Sequence, residues 1–231
     1  MTTSPNSSEI KVAAATGGGG SALGERRVTN VLLAGVGGQG VVLASLVLAQ
    51  VAIREGYEVK QSEVHGMSQR GGSVVSHFRF GDKVWAPLVT PGTADILLAF
   101  ETLEALRYLT WLRPGGFLVY NTLRLNPSPV AAGLAEYPAD VEERLAASWP
   151  RLQAVPASAL AEEAGTIRAA NVVMLGAVSN GLPFALETWE EVIRKAVPPK
   201  TIEVNLNAFA LGRRVALSAG KVEPERQAES L

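Results

Sequence analysis

Residues 28–54, VTNVLLAGVGGQGVVLASLVLAQVAIR, decide the fold of this 231-residue chain. Residues 28–34 form a short apolar run that ends at glycines, and apolar side chains then recur at helical spacing from Val41 to Arg54. This order predicts a strand, a tight turn and a helix. A second strand is predicted over residues 57–64, and we expect it to form a parallel pair with the first.

The segment that follows interrupts the alternation of strands and helices. Residues 73–80 and 83–88 are both β-prone and are joined by Gly81 and Asp82, so they predict a β-hairpin. Residues 94–100 are almost wholly apolar, as expected of a strand that is covered on both faces.

The rest of the chain is mainly helical in pattern, and the fold class follows from it. We predict an α/β protein with a three-layer, Rossmann-like, mostly parallel sheet, an inserted β-hairpin and a helical C-terminal part. The remaining predicted elements are helices over 103–112, 140–149, 159–164, 168–181, 188–197 and 201–217, and strands over 117–120 and 152–155.

The two ends of the chain differ from its middle in composition. Residues 1–27 are rich in Ser, Thr, Ala and Gly, and we expect a flexible leader there. Residues 28–218 are predicted to form a single domain, and the polar residues 219–231 a flexible tail.

Composition excludes several classes of function. The chain has no cysteine, which excludes disulfides, thiolate zinc sites, a cysteine nucleophile and thiolate-ligated iron–sulfur clusters. Its net charge is -1, so the chain lacks the excess of positive charge that is typical of a nucleic-acid-binding protein. No apolar run approaches the roughly 20 residues that span a bilayer. We therefore expect a cytoplasmic protein that binds neither nucleic acid nor membrane.

The glycine-rich turn at residues 35–40 is the first candidate site. Gly35, Gly37 and Gly40 satisfy the G-x-G-x-x-G spacing between a predicted strand and a predicted helix. Glycine lets backbone N–H groups approach an anion, to which the helix N-terminus adds a favourable partial charge. The alternative is that the glycines only allow the helix to pack closely on the strand. The candidate anion-binding residues here are Gly35, Gly37, Gly38, Gln39 and Gly40.

A second loop, HGMSQRGG at residues 65–72, is dense in hydrogen-bond donors. It follows the second predicted strand, so we expect it to lie beside the glycine turn at the carboxyl edge of the sheet. Arg70 could bind an anionic group with about 1.5–3 kcal/mol per charge-assisted bond, which suits one wall of a site better than a whole site. Alternatively, Arg70 pairs with Glu63 or Glu101. The candidate ligand residues are Ser68, Gln69, Arg70, Gly71 and Gly72, and the only catalytic candidates are His65 and Arg70.

Other polar residues favour structural roles. His77 is interpreted as a strand residue with no metal partner, since the chain has only two histidines and we predict no metal site. Asn171 with Met174, and Asn205 and Asn207 with Phe209, are interpreted as helix packing.

The sequence resembles the gamma-type domain of the 2-oxoacid:ferredoxin oxidoreductases, and the indolepyruvate enzymes most of all. The resemblance spans nearly all of the predicted domain, and the long run around His65 is its most specific part. It is carried by residues 35–40, 62–74 and 94–105, by Asn171 with 175–177, and by 207–209 with Gly212.

This resemblance implies a role as one subunit of a larger enzyme. Such enzymes oxidatively decarboxylate aryl pyruvates to acyl-coenzyme A, with coenzyme A as co-substrate, and pass electrons to ferredoxin. In the family, a large subunit holds thiamine diphosphate and the iron–sulfur clusters, and the small subunit completes the assembly. The resemblance also implies that the 65–72 loop faces that large subunit. A face that meets it should carry an apolar patch larger than the few hundred Å² usual for monomers.

Two other functions remain open from the residues alone. One is a free-standing NAD(P)-dependent oxidoreductase that uses residues 35–40 and holds the ribose through Glu63. The other is a structural or assembly protein whose glycine loops only pack.

Overall fold

The computed structural model describes residues 26–65 and 72–218. Within these ranges, six strands form one mixed sheet in the order β2-β3-β1-β4-β5-β6. Five of these strands point the same way, and only β3 runs antiparallel to its neighbours. The strands are β1 (Thr29–Val36), β2 (Glu58–His65), β3 (Ser73–Gly81), β4 (Ala94–Ala99), β5 (Leu112–Asn121) and β6 (Leu152–Val155).

Helices cover both faces of the sheet, so the predicted three-layer α/β architecture is confirmed. One face is covered by α1, α5, α6, α7 and α8, and the other by α2, α4 and the segment that leads into β4. These helices are α1 (Val41–Arg54), α2 (Thr102–Tyr108), α3 (Ser128–Ala131), α4 (Val141–Ser148), α5 (Ala157–Ala164), α6 (Ala170–Ser179), α7 (Leu186–Ala196) and α8 (Ile202–Ser218).

The central strands consist of uninterrupted runs of apolar residues because both of their faces are buried. In β1, Val31 and Leu33 pack into the core under α1, whereas Leu32 and Ala34 pack into the core on the α2 side. All four side chains are fully buried. This double burial is the reason that central parallel strands lack polar alternation.

The predicted hairpin was placed wrongly. Residues 83–88 form no strand, and β3 instead pairs antiparallel with β2 on one side and with β1 on the other. Asp82 does not turn the chain into a hairpin but binds Arg26, whose Nε lies 2.6 Å from Asp82 Oδ1. The inserted hairpin of this fold is therefore β2–β3.

The same insertion corrects the predicted parallel pairing of the first two strands. β1 and β2 point in one direction, but β3 lies between them and hydrogen-bonds to both. The pattern of a single sequence shows where strands form. It does not show which strands are neighbours in the sheet, since strand pairing depends on contacts between residues that are far apart in sequence.

Element bounds agree with prediction at most places. α1 and β6 have the predicted limits. The helix predicted over 103–112 ends at Tyr108 and is followed by a 3-10 helix over Leu109–Trp111. The strand predicted over 117–120 is longer than expected, since β5 already begins at Leu112. The short helix α3 was not predicted. Of the predicted leader, Arg26 and Arg27 are described, and Arg26 stacks on the Tyr57 ring at 4.0 Å. The remaining leader residues and the predicted tail lie outside the described residues.

Candidate functional site

The glycine turn joins β1 to α1 and is braced by Gln39. The backbone N–H of Val36 donates to Gln39 Oε1 at 2.7 Å, and Gln39 Nε2 donates to the carbonyl of Phe100 at 2.8 Å. The Gln39 amide therefore holds the turn against the end of β4.

The glycines of the turn do different things. A Cβ atom on Gly35 would lie 2.7 Å from Val41 Cγ2, so this glycine allows the helix to pack on the strand. Gly40 has a φ of +77° and faces Asn171, whose Nδ2 would lie 2.6 Å from an added Cβ. Gly38 has a φ of +103°, and no described residue would lie within 4 Å of its Cβ. The packing interpretation thus holds at Gly35 and Gly40, whereas a Cβ on Gly38 would meet none of the residues that the structure describes.

Gly72, the last residue of the 65–72 loop, lies beside the glycine turn, as predicted. The N–H of Gly37 donates to the carbonyl of Gly72 at 2.9 Å. The contact arises because β2 ends and β3 begins at the edge where β1 ends. His65 is the last residue of β2 and is paired with Val74. The predicted ligand residues Ser68, Gln69, Arg70 and Gly71 lie outside the described residues.

The first turn of α1 supplies the donors that this edge offers to an anion. Helix geometry leaves the N–H groups of Val41, Val42 and Leu43 without acceptors inside the helix. Gly40 precedes them and provides no side-chain cap. The partial positive charge of a helix N-terminus adds to these donors, so the geometry fits one side of a site for a phosphate or a carboxylate.

Two buried carboxylates lie at the same edge, and the sequence analysis assigned them no site role. Glu101 and Glu104 are 1% and 4% exposed, at the end of β4 and in the first turn of α2. Glu104 Oε2 accepts from Ser73 Oγ at 2.6 Å, and its Oε1 accepts from Arg107 Nε at 3.0 Å. Since Ser73 is the first residue of β3, Glu104 anchors the strand end that follows the loop. In the sequence, the signal that could have pointed to these two residues is a pair of glutamates directly after a predicted apolar strand.

Glu101 ties several segments together through its two oxygens. Its Oε2 accepts from the N–H of Glu104 at 2.9 Å and caps α2. Its Oε1 accepts from Tyr137 Oη at 2.7 Å and from the N–H of Leu125 at 3.1 Å. Burial, and then the hydrogen bond to Glu101, raise the pKa of Tyr137 far above its usual value. Tyr137 therefore keeps its proton, and its hydrogen bond to this carboxylate, to a higher pH than an ordinary tyrosine would.

The ends of β5 and β6 border an open cleft of about 410 Å³. Asn121 Nδ2 donates to the Phe100 carbonyl at 3.2 Å, and Asn121 Oδ1 accepts from the N–H of Ala157 at 3.2 Å. On its rim, Arg124 pairs with Glu142, and this pairing lowers the pKa of the Glu142 carboxyl. The cleft is lined by Asn121, Thr122, Leu123, Arg124, Pro156, Ser158 and Ala159.

His77 lies away from this edge, and the structural interpretation of it agrees with its surroundings. Its Nδ1 accepts from the N–H of Val89 at 3.2 Å, and its ring meets Trp111 edge to face. Burial lowers the pKa of His77 below its ordinary value. Among the described residues, no group of three or more histidines and acids is placed to hold a metal ion.

The helices α6 and α8, which carry the residues assigned to packing, cross closely at two glycines. A Cβ on Gly176 would lie 2.1 Å from the Phe209 carbonyl oxygen, and one on Gly212 would lie 2.0 Å from the Val173 oxygen. Asn205 Nδ2 donates at 2.8 Å to the carbonyl of Thr201, the residue before α8. Asn207 is exposed, so the packing interpretation is wrong for its side chain. The glycines thus allow the two helix backbones to touch.

Comparison with known proteins decides the family. Residues 30–215 match the family model described as pyruvate ferredoxin/flavodoxin oxidoreductase. The chain belongs to this family. Within the described ranges, no helix is both long enough and apolar enough to cross a membrane.

Members of this family resemble the chain over different shares of their own length. The indolepyruvate oxidoreductase subunit IorB of Thermococcus kodakarensis is 46% identical over 195 residues, which are 81% of this chain and 95% of that protein. The ketoisovalerate oxidoreductase subunit VorA of Methanothermobacter marburgensis is 33% identical over 81% of this chain, but over only 36% of its own length. The same unit therefore occurs both as a short chain and as part of a longer one.

A solved structure supports the fold. The gamma subunit of a keto/oxoacid ferredoxin oxidoreductase from Geobacter sulfurreducens PCA matches with a TM-score of 0.61 at 26% identity. The match covers 82% of this chain and 99% of that subunit. The mixed sheet with flanking helices is thus an architecture shared with a gamma subunit of this family.

Proposed function

We propose that this chain is the small, gamma-type subunit of an indolepyruvate-type 2-oxoacid:ferredoxin oxidoreductase. The observation that carries the proposal is its 46% identity to an indolepyruvate oxidoreductase subunit over 95% of that subunit's length. The family match over residues 30–215 includes the glycine turn and the strands and helices that position it. This chain offers only one side of an anion site, which agrees with an enzyme subunit that is not active alone.

The reaction is the oxidative decarboxylation of an aryl pyruvate to acyl-coenzyme A, with transfer of the electrons to ferredoxin. Coenzyme A is the co-substrate. Thiolate-ligated iron–sulfur clusters do not fit this chain, which has no cysteine. We assign the clusters and thiamine diphosphate to a large partner subunit, and contact with ferredoxin is then indirect.

The glycine turn and the 65–72 loop form the wall that meets the large subunit near its active site. Two contacts support this role: Gly37 is bonded to Gly72, and Ser73 is bonded to the buried Glu104. Both contacts fix the chain where the 65–72 loop ends, so that the loop, which begins at the end of β2, enters β3 at a defined place. On this wall, Arg70 binds an anionic group, either a coenzyme A phosphate or the substrate carboxylate.

The alternative of a free-standing NAD(P) enzyme loses support from the sheet order. A ribose-binding carboxylate belongs on the strand beside β1. Glu63 lies on β2, which β3 separates from β1, and two strand spacings amount to about 10 Å. The Gly37 amide, which would face a pyrophosphate, is bonded to Gly72.

Reconstitution with the large subunit tests the proposal. We expect the chain alone to be inactive, and the pair to reduce ferredoxin with indolepyruvate and coenzyme A. Pyruvate, 2-oxoglutarate and 2-oxoisovalerate, assayed alongside, measure the substrate preference. Full activity of either subunit alone, or a preference for a small aliphatic 2-oxoacid, would contradict the indolepyruvate assignment.

The substitution Arg70→Ala tests the wall itself. It should reduce turnover or raise KM for coenzyme A or the 2-oxoacid by roughly tenfold or more, since a lost charge-assisted bond is worth about 1.5–3 kcal/mol. Arg144→Ala, which removes an exposed arginine on the opposite face of the sheet, is the matched control. Unchanged kinetics in a complex that still assembles would favour a purely structural subunit.

A further inference from the structure

Asn171 is a nearly buried polar residue that uses only half of its hydrogen-bonding capacity. Its side chain is 6% exposed and lies in the first turn of α6. The Asn171 Oδ1 accepts from the N–H of Val172 at 3.0 Å. Among the residues that the structure describes, none accepts a hydrogen bond from Asn171 Nδ2. Buried polar groups are normally hydrogen-bonded, so this amide holds a donor that the fold itself does not use.

The orientation of the Asn171 amide follows from its one hydrogen bond. A backbone N–H can only donate, so the amide oxygen must face Val172 and the amide nitrogen must lie on the other side. On that side lies the glycine turn, because a Cβ on Gly40 would be 2.6 Å from Asn171 Nδ2. Gly40 is the N-cap residue of α1. The unused donor therefore lies beside the N-terminus of α1.

The N-terminus of α1 lacks the two groups that usually balance its partial positive charge. Gly40 provides no capping side chain, and the first turn contains no acidic residue. α2 has both groups, since the Glu101 carboxylate accepts from the N–H of Glu104, and Glu104 is itself acidic. Free N–H groups and the helix dipole both stabilise an anion at such an end. α1, with 14 residues, thus offers backbone donors to an anion beside the amide of Asn171.

We propose that Asn171 is a binding residue of the site at the glycine turn, where its Nδ2 donates to an anionic oxygen held at the N-terminus of α1. The inference rests on the proposed function and adds a side chain to that site. The anionic oxygen belongs to a phosphate or a carboxylate, which are the charged groups of coenzyme A and of the 2-oxoacid.

Helix packing explains only one side of the Asn171 amide. Its Oδ1 satisfies the N–H of Val172, but packing assigns no partner to its Nδ2. A neutral amide suits a place that is almost fully buried, because a charged donor would lose far more hydration there before the anion binds. The Gly37 N–H is already bonded to Gly72, so the remaining donors at this place are those of the first turn of α1 and of Asn171.

The substitution Asn171→Asp separates binding from packing. An aspartate keeps an oxygen for the N–H of Val172, but it has a carboxylate oxygen in place of Nδ2, so it cannot donate and it repels an anion. In the complex with the large subunit, KM should rise roughly tenfold or more, because a hydrogen bond to a charged group is lost. The value of kcat should change much less, as expected when ground-state binding is weakened.

The two substrates distinguish the source of the anionic oxygen. A rise in KM for coenzyme A alone assigns a phosphate to this place, and a rise in KM for the 2-oxoacid alone assigns its carboxylate. Asn171→Ala provides a second variant, which removes the donor without adding a charge. It should raise the same KM by a smaller factor.

Asn180→Asp is the matched control, because it makes the same change of charge at the other end of α6. Asn180 is exposed, about 14 Å from Asn171 along the helix axis. We expect the control to leave both KM values unchanged. Circular dichroism and thermal unfolding of the isolated chain check that each variant folds, and alanine, as the best helix former, keeps Asn171→Ala informative if the aspartate variant is unstable.

The outcomes separate this inference from the proposed function. If the wild-type complex does not oxidise 2-oxoacids, the proposed function fails and the inference fails with it. If the wild-type complex is active and both Asn171 variants keep its KM values, the proposed function stands and the role given to Asn171 is wrong. If both variants lower the thermal midpoint without changing either KM, Asn171 only packs, and the proposal is overturned.

Discussion

At the scale of single residues, Phe100 shows how one backbone carbonyl can join three strand ends. Its oxygen accepts from Gln39 Nε2 and from Asn121 Nδ2, at the ends of β1 and β5. Its own N–H donates to the Ala34 carbonyl at 2.8 Å. The two amide side chains satisfy buried polar groups at the carboxyl edge of the sheet, where the regular ladder stops.

His77 predicts how the stability of the folded chain depends on pH. Because burial lowers its pKa in the folded chain, the unfolded chain binds a proton more readily near about pH 6.5. Its contribution to stability is complete above that pH and is lost as the pH falls towards the lower pKa of the folded state. We expect the free energy of unfolding to decrease between about pH 7.5 and about pH 5.5.

The variant His77→Asn isolates this contribution. An asparagine Oδ1 can take the place of Nδ1 as acceptor for the Val89 N–H, but it does not titrate. Urea unfolding at several pH values should therefore show a smaller decrease in the variant than in the wild type. The same slope in both proteins would show that His77 does not carry the effect.

At the scale of elements, the crossing of α6 and α8 is controlled by two glycines. Gly176 and Gly212 each face a backbone carbonyl of the other helix, and a backbone cannot move aside as a flexible side chain can. The sequence analysis assigned these helices to packing without giving the contact. Gly-to-Ala changes normally stabilise a helix by about 0.5–1 kcal/mol, so a loss of stability here would be diagnostic.

We expect Gly176→Ala to destabilise the chain by about 1–3 kcal/mol, since the added Cβ would force α6 and α8 apart. Gly181→Ala is the control, because its nearest contact would be an ordinary 3.5 Å and its φ is not positive. The control should change the free energy of unfolding by less than about 0.5 kcal/mol. Equal effects of the two substitutions in urea titrations would show that the crossing is not the cause.

At the scale of the whole molecule, the order of strands decides between the candidate functions. β3 enters the sheet between β1 and β2 and moves the predicted ribose ligand Glu63 one strand farther from the glycine turn. Because β3 pairs with β1, the carbonyl of Gly72 accepts a hydrogen bond from the N–H of Gly37. One topological change thus separates Glu63 from the glycine turn and places Gly72 beside that turn.

A thermal-shift experiment checks this consequence. NAD⁺ and NADP⁺ should leave the thermal midpoint of the isolated chain unchanged, because the sheet order does not place Glu63 beside the glycine turn. A ligand at 100 times its Kd would add about 2.7 kcal/mol of stability, which is readily measured. A known dehydrogenase under the same conditions serves as the positive control, and a clear shift of this chain would restore the nicotinamide alternative.

The sequence by itself determined the elements that local patterns encode. The apolar run of residues 94–100 predicted β4, because a strand that is buried on both faces leaves a continuous apolar run. The helical period of residues 41–54 predicted α1, because burial of one helix face repeats at that period. The glycine turn was found by its spacing, and the contact of Gly72 with it was expected from strand direction.

Only the tertiary structure decided which strands are neighbours and which polar groups meet. The register of β3 between β1 and β2, the Ser73–Glu104 bond and the approach of Asn171 to Gly40 all join residues that are distant in sequence. Such pairings are selected by the packing of the whole chain and leave no period in a single sequence. The exposure of Leu43, Leu46 and Ile53 on the outer face of α1 likewise depends on where the other helices pack, and the helical period of residues 41–54 does not give it.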